Sequence, residues 1–193
     1  MAKITRESLL TLEAYAKERI AFRSRILAHK KNRRVQIGEH IVLYFEDELT
    51  VRYQIQEMLR VEKVFEENGI QEELEAYNPL VPDGRNLKAT MMIEYEDPFE
   101  RAKALAGFIG IEDKVWIQAD TCVKVFAVAD EDLDRENDDK TSSVHFLRFE
   151  LDDESVEALR RGNNLNIGVE HENCSCSVSV PSEVRQSLIN DFC

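Results

Sequence analysis

At Val35 the apolar residues of this chain change their period. Upstream, Leu9, Leu12, Tyr15, Ala16, Ile20, Phe22, Ile26 and Leu27 recur at helical spacing, which predicts a helix over residues 5–28 with Thr5 able to cap its start. Downstream, VQIGEHIVLYFE (35–46) alternates with a period of two around Gly38–Glu39, the pattern of a hairpin with a type II′ turn. The exchange recurs along the chain. A helix is expected over 50–67, stopped at Asn68–Gly69, then a short one over 70–77 ended by Asn78–Pro79. A strand over 87–95 leads into a helix announced by Asp97–Pro98. VWIQ and TCVKVFAVA form a second hairpin around Ala119–Asp120, and a strand over 144–151 leads to the helix DESVEALRR, closed by Gly162. LNIGVEH and CSCSVSV form a third hairpin, and Pro181 opens a last amphipathic helix. Such an order predicts an α+β fold: antiparallel β-hairpins packed with helices, one domain over 1–193 with an N-terminal helical arm.

That arm is unusual in its charge. RIAFRSRILAHKKNRR (19–34) holds seven Arg or Lys, one His and no acid, in a chain of net charge −13. The first 34 residues carry ten bases and three acids, leaving about −20 on the rest. A block that opposes the charge of its own protein either docks on the acidic body or presents Arg25, Lys30, Lys31, Arg33 and Arg34 to an anionic partner. Nucleic acid is the weaker option, because Phe22 is the one aromatic available for base stacking and the overall charge repels polyanions. DEDLDRENDD, within a loop expected over 130–143, holds seven acids and reads as a solvated segment. The longest apolar runs are about five residues, far short of the roughly 20 that span a bilayer. The charged start MAKITRESLL is unlike a signal peptide, so a cytoplasmic protein with reduced cysteines is expected.

Two further constellations could carry chemistry. In VRYQIQEMLRVEK (51–63), Val51, Ile55, Met58, Leu59 and Phe65 form one stripe and Tyr53, Val61 and Val64 another, which predicts a largely enclosed helix. Glu62 falls near the middle of the first stripe, with Glu57 and Arg60 near the second; a buried carboxylate there must be paired, protonated or functional, and the alternative is an intrahelical Glu57–Arg60 pair with Glu62 turned out where the helix frays. In the third hairpin, a turn at Glu172–Asn173 sets His171 opposite Cys174 and Val169 opposite Cys176 on one face. The cysteines are then either small core residues or, with His171, a thiol–imidazole pair or part of a metal site. No P-loop, GxGxxG after a strand, HExxH, GxSxG or Glu-x-x-His occurs.

Several stretches together resemble a bacterial family known as domain of unknown function 3501: FRSRILAHKKNRRVQIGEHIVLYFED, VRYQIQEMLRVEK, IQEELEAYNPLVP, VHFLRFELDDESVEALRRG and LNIGVEHE. The resemblance covers essentially the whole chain. It points to Arg25, Lys30, Lys31, Arg33, Arg34, Gln54, Gln56, Glu57, Arg60, Glu62, Gln71, Glu72, Glu73, Tyr77 and Asn78, and not to the cysteines. By gene association it implies a link to rubrerythrin-like and iron–sulfur proteins. The leading expectation is therefore a non-catalytic accessory protein of redox or oxidative-stress metabolism that binds an acidic protein partner, with no cofactor. Alternatives are a metal- or thiol-dependent redox enzyme and an RNA- or polyanion-binding protein.

Overall fold

The computed structural model describes residues 3–129 and 140–192, so the core of the expected acidic loop, residues 130–139, lies outside the described residues. A 3₁₀ turn (Arg6–Ser8) precedes α1 (Leu12–Lys31), β1 (Arg34–Ile37), β2 (Ile41–Glu46), α2 (Glu48–Glu62), α3 (Glu67–Tyr77), β3 (Asn86–Ile93) and α4 (Pro98–Gly107). Then come β4 (Val115–Ala119), β5 (Val125–Phe126), β6 (Val128–Ala129), β7 (Val144–Glu150), α5 (Asp153–Arg160), β8 (Leu165–His171), β9 (Cys174–Ser179) and α6 (Ser182–Ile189). The described strands form two antiparallel sheets, in the orders β1-β2-β3-β7-β6 and β5-β4-β8-β9. The architecture is α+β.

Alternation puts one face of each sheet into a shared core. Ile41, Leu43 and Phe45 of β2 and Leu87, Ala89 and Met91 of β3 join Val115 and Ile117 of β4 and Leu165, Ile167 and Val169 of β8 in one buried cluster. A second cluster lies among the helices, where Ile4 and Leu9 pack with Val51, Ile55 and Leu59 of α2 and Ile70 and Leu74 of α3.

Several local expectations are corrected, each for a packing reason. The first helix does not begin at Thr5: Leu9 is drawn into the helical cluster, and α1 starts only after Thr11, whose hydroxyl accepts from Ala14 N at 3.3 Å. The β1–β2 turn has three residues, because Ile37 pairs with Ile41; Gly38 takes φ +62°. α2 is opened by a reciprocal cap between Asp47 and Thr50 and stops at Lys63 in the left-handed region, φ 56°. Asn68–Gly69 is thus no stop but part of α3; a Cβ on Gly69 would lie 2.7 Å from Val64 Cγ1, so close approach requires the glycine. The second hairpin divides at Ala127: β5 pairs with β4, whereas β6 crosses to β7 in the other sheet.

The end of the basic block turns inward. Arg33 is 2% exposed. Its Nε donates to Phe45 O at 2.9 Å, and its Nη2 donates to Glu46 O at 3.0 Å and to Asp191 Oδ2. Its Nη1 donates to Ser187 O at 3.3 Å. Asp47 Oδ2 lies 3.5 Å from Arg33 Nε and 2.5 Å from His29 Nε2. One guanidinium thus joins the end of β2, the start of α2 and the C-terminal α6. Burial pushes the Asp191 carboxyl up to about 6 against the pull of Arg33, as expected where desolvation rivals attraction. The pair fixes position more than it adds stability, yet removing one partner strands the other. Arg33→Met should lower the unfolding free energy by about 3–5 kcal/mol in urea titration. A loss below about 1 kcal/mol, the range of a surface substitution, would contradict the burial of this charge.

Candidate functional site

Gln56 and Glu57 of the central helix are engaged by the N-terminal segment and α1. Gln56 is buried, and its amide brackets Leu10: Oε1 accepts from Leu10 N at 2.7 Å and Nε2 donates to Leu10 O at 3.3 Å. Asn78 does the same for Ile4, with both contacts at 2.9 Å. Each amide completes the backbone hydrogen bonds of a segment with no sheet partner. Glu57 accepts from Tyr15 Oη at 2.6 Å, from Arg19 Nε and Nη2 at 2.7 and 2.8 Å, and from Arg60 Nη2 at 3.1 Å. With four donors on two oxygens it is a latch between α1 and α2. Its pKa is lowered to about 2, chiefly by Arg19, then by Tyr15 and Arg60. Tyr15 is pushed up by burial and by this carboxylate.

The helix expected to be enclosed is buried along the first stripe and half-covered by α1 along the second, but open at its C-terminal end. Val51, Ile55 and Leu59 are buried, whereas Val61, Glu62 and Phe65 are exposed, because α2 ends at Glu62 and the chain turns away. Glu62 is therefore not a buried carboxylate. Gln54 and Tyr77 are half-buried, Tyr77 against the helical cluster; Gln71 and Glu72 are exposed and Glu73 is half-buried.

The third hairpin has the expected register, His171↔Cys174 and Val169↔Cys176. The imidazole does not activate a thiol. His171 Nδ1 accepts from Asn173 N at 3.2 Å and Nε2 lies 3.1 Å from Ile109 O, which occupies both ring nitrogens. Burial and the neighbouring Cys176 push the Cys174 thiol up to about 11, opposite to a reactive thiolate. Among the described residues no group of three or more His, Cys, Asp or Glu is placed to hold a metal ion, and Cys193 lies outside them.

What is left is the outer face of α1. Across its 20 residues only Tyr15 and Ile26 are buried. Tyr15, Arg19 and Phe22 face α2, with Phe22 5.9 Å from the Tyr53 ring. On the opposite side, Ala16, Ile20, Leu27 and Lys31 line up at helical spacing between Lys17, Arg23 and Ser24, all exposed. Ile20 is 85% and Leu27 49% exposed. Of the predicted anion-binding set, Lys31 belongs to this face and Lys30, half-buried, to its margin. Arg25 turns away over Phe22, its guanidinium carbon 4.8 Å from the ring centroid, and Arg34 lies beyond the helix over Tyr44 at 5.9 Å. Arg33 is not on the surface. Lys17, Arg23, Ile20 and Leu27 were missed as surface residues because apolar positions occur on every side of α1, so periodicity selects no free face.

The model of the family described as "Protein of unknown function (DUF3501)" matches residues 3–192. The chain belongs to that family. No curated protein matches. Among solved structures, a crystal structure of a novel protein of unknown function from Burkholderia pseudomallei K96243 is similar over 100% of both chains, with 53% identity and a TM-score of 0.95. No described helix is long and apolar enough to cross a membrane. The family-associated Gln56, Glu57 and Asn78 fasten the N-terminal segment and α1, and Arg60 braces Glu57 from its own helix.

The Glu57 latch has a pH signature. A folded pKa near 2 against an ordinary 4.5 means its contribution is full above about 4.5 and fades as pH falls toward 2. The difference in unfolding free energy between wild type and Glu57→Gln should be constant at higher pH and shrink through that window. A difference independent of pH would show that the carboxylate is not held by Arg19.

Proposed function

We propose that the protein is a non-catalytic accessory protein that docks through the outer face of α1 onto an acidic protein surface. The observation that carries this is the exposure of Ile20 and Leu27 inside a frame of Lys17, Arg23 and Lys31. An apolar line flanked by three bases, with Glu13 at its N-terminal end, suits a partner that pairs apolar side chains with flanking carboxylates, where charge steers the encounter and apolar contact holds it. The −20 carried by the rest of the chain keeps this face the local exception on an acidic protein. The gene association of the family makes rubrerythrin-like and iron–sulfur proteins the partners to try first, with a role in redox or oxidative-stress metabolism. RNA is less suited, because the face carries no aromatic ring for stacking and sits on a strongly acidic body.

Purified acidic partners of those two classes, and a generic RNA, should be titrated against wild type and against Lys17→Glu/Arg23→Glu/Lys31→Glu. All three positions are exposed, so the variant should keep its fold. The expected result is protein binding that weakens with salt and by at least about tenfold in the variant, mainly through slower association. RNA binding with a steep log-linear salt dependence would replace the proposal. Partner binding unchanged by the charge reversal would end it.

A further inference from the structure

At one edge of the molecule the two sheets come together. β1 is the edge strand of the first sheet and β9 that of the second. The β1–β2 loop closes over β9 so tightly that a Cβ on Gly38 would lie 3.2 Å from Cys176 Sγ. Under it, Cys174 and Cys176 point to the same side of β9, both free and half-buried, with their sulfurs 3.9 Å apart.

A disulfide is not the natural outcome of this geometry. Residues i and i+2 of an extended strand have Cα atoms about 6.8 Å apart, at the upper edge of the range that a disulfide spans. The observed sulfur separation is about twice an S–S bond of roughly 2.04 Å. Closing it would bend β9 out of its pairing with β8. One atom between the sulfurs needs no such movement. Two metal–thiolate bonds of about 2.3 Å subtend the 3.9 Å gap at an angle of about 115°. A collinear arrangement needs the sulfurs only about 0.7 Å further apart, a side-chain adjustment.

The cation is selected by what surrounds the pair. His171, directly opposite Cys174, has both ring nitrogens engaged, so it does not add a third ligand. The described residues therefore offer two sulfur ligands and not the four donors of a structural zinc site. Soft thiolates with so few partners favour a soft monovalent d¹⁰ ion. We propose that Cys174 and Cys176 form a two-thiolate site for a copper(I)-class cation. On binding, two S–H bonds break, two S–Cu bonds form and two protons leave to solvent, with no change in oxidation state.

The test is anaerobic titration of the reduced full chain with copper(I) against a chromophoric copper(I) chelator, in a Cys122→Ser/Cys193→Ser background. One copper(I) per chain is expected, with sulfur-to-copper charge-transfer absorption and copper–sulfur scattering in X-ray absorption. Cys174→Ser and Cys176→Ser should each weaken binding by more than the roughly 10–100-fold that loss of a supporting partner costs. Cys176→Ser/Ser177→Cys keeps two thiols but sends them to opposite faces of β9 and should bind as poorly; circular dichroism would confirm that each variant folds. Absence of copper(I) binding in the background protein would overturn the site. So would a register-shifted variant that binds as tightly as the background, because thiol number and not geometry would then decide.

Discussion

A guanidinium taken out of water dictates much of this structure. Arg33 lies near the end of a run of bases, and its charge is compensated inside by Asp191 just past the C-terminal helix and by Asp47 at the head of α2, while the carbonyls of Phe45, Glu46 and Ser187 accept hydrogen bonds from it. The position of α1 follows, because His29 is tied to Asp47 at one end of the helix and Tyr15 and Arg19 to Glu57 nearer the other. Burying such a pair is weak evidence for stability but strong evidence for register: the ions tolerate few other arrangements. The question of whether the basic arm docks on its own body or faces a partner has a divided answer. Its inner residues dock, and its outer residues remain available.

The legible parts of the fold were those set by period and by neighbours in sequence. The β8–β9 register follows from the requirement that Ile167, Val169, Cys176 and Val178 share a face, and a one-residue slip would have inverted all of them. The start of α4 follows from Asp97 and Pro98, whose local chemistry suffices for the cap. Boundaries decided by tertiary contact were not legible. Asn68–Gly69 carries the composition of a helix stop, yet Gly69 answers to Val64 packed against it. The crossing of β5–β6 between sheets depends on where β7 lies, which no window around Ala127 contains.

The candidate sites divide in the same way. Clustering polar residues in the first 80 positions correctly marked an unusual region, but the partners that explain them are remote in sequence: Leu10 for Gln56, Ile4 for Asn78, Asp191 for Arg33. Gln56, Glu57 and Asn78, which read as part of a binding set, are in this fold fasteners of α1 and of an N-terminal segment without a sheet of its own. The reverse error applies to Ile20 and Leu27. Their type and spacing assign them to a core, and only the choice of Tyr15 and Ile26 as the buried positions of α1 leaves them outside. A helix whose apolar residues are not gathered on one face leaves some of them on the surface, and that strip is the one proposed above to meet a partner.

The division of the basic block into an inner latch and an outer face is the claim on which the functional reading rests, and it can be measured directly. Residue-resolved arginine modification of the native chain with a dicarbonyl reagent, read by mass spectrometry, compares Arg23, Arg25, Arg33 and Arg34 in one experiment. Arg23, Arg25 and Arg34 are exposed and should react readily, while Arg33 should stay unmodified until the protein is unfolded. Modification of Arg33 at the rate of Arg23 in the folded protein would contradict the account.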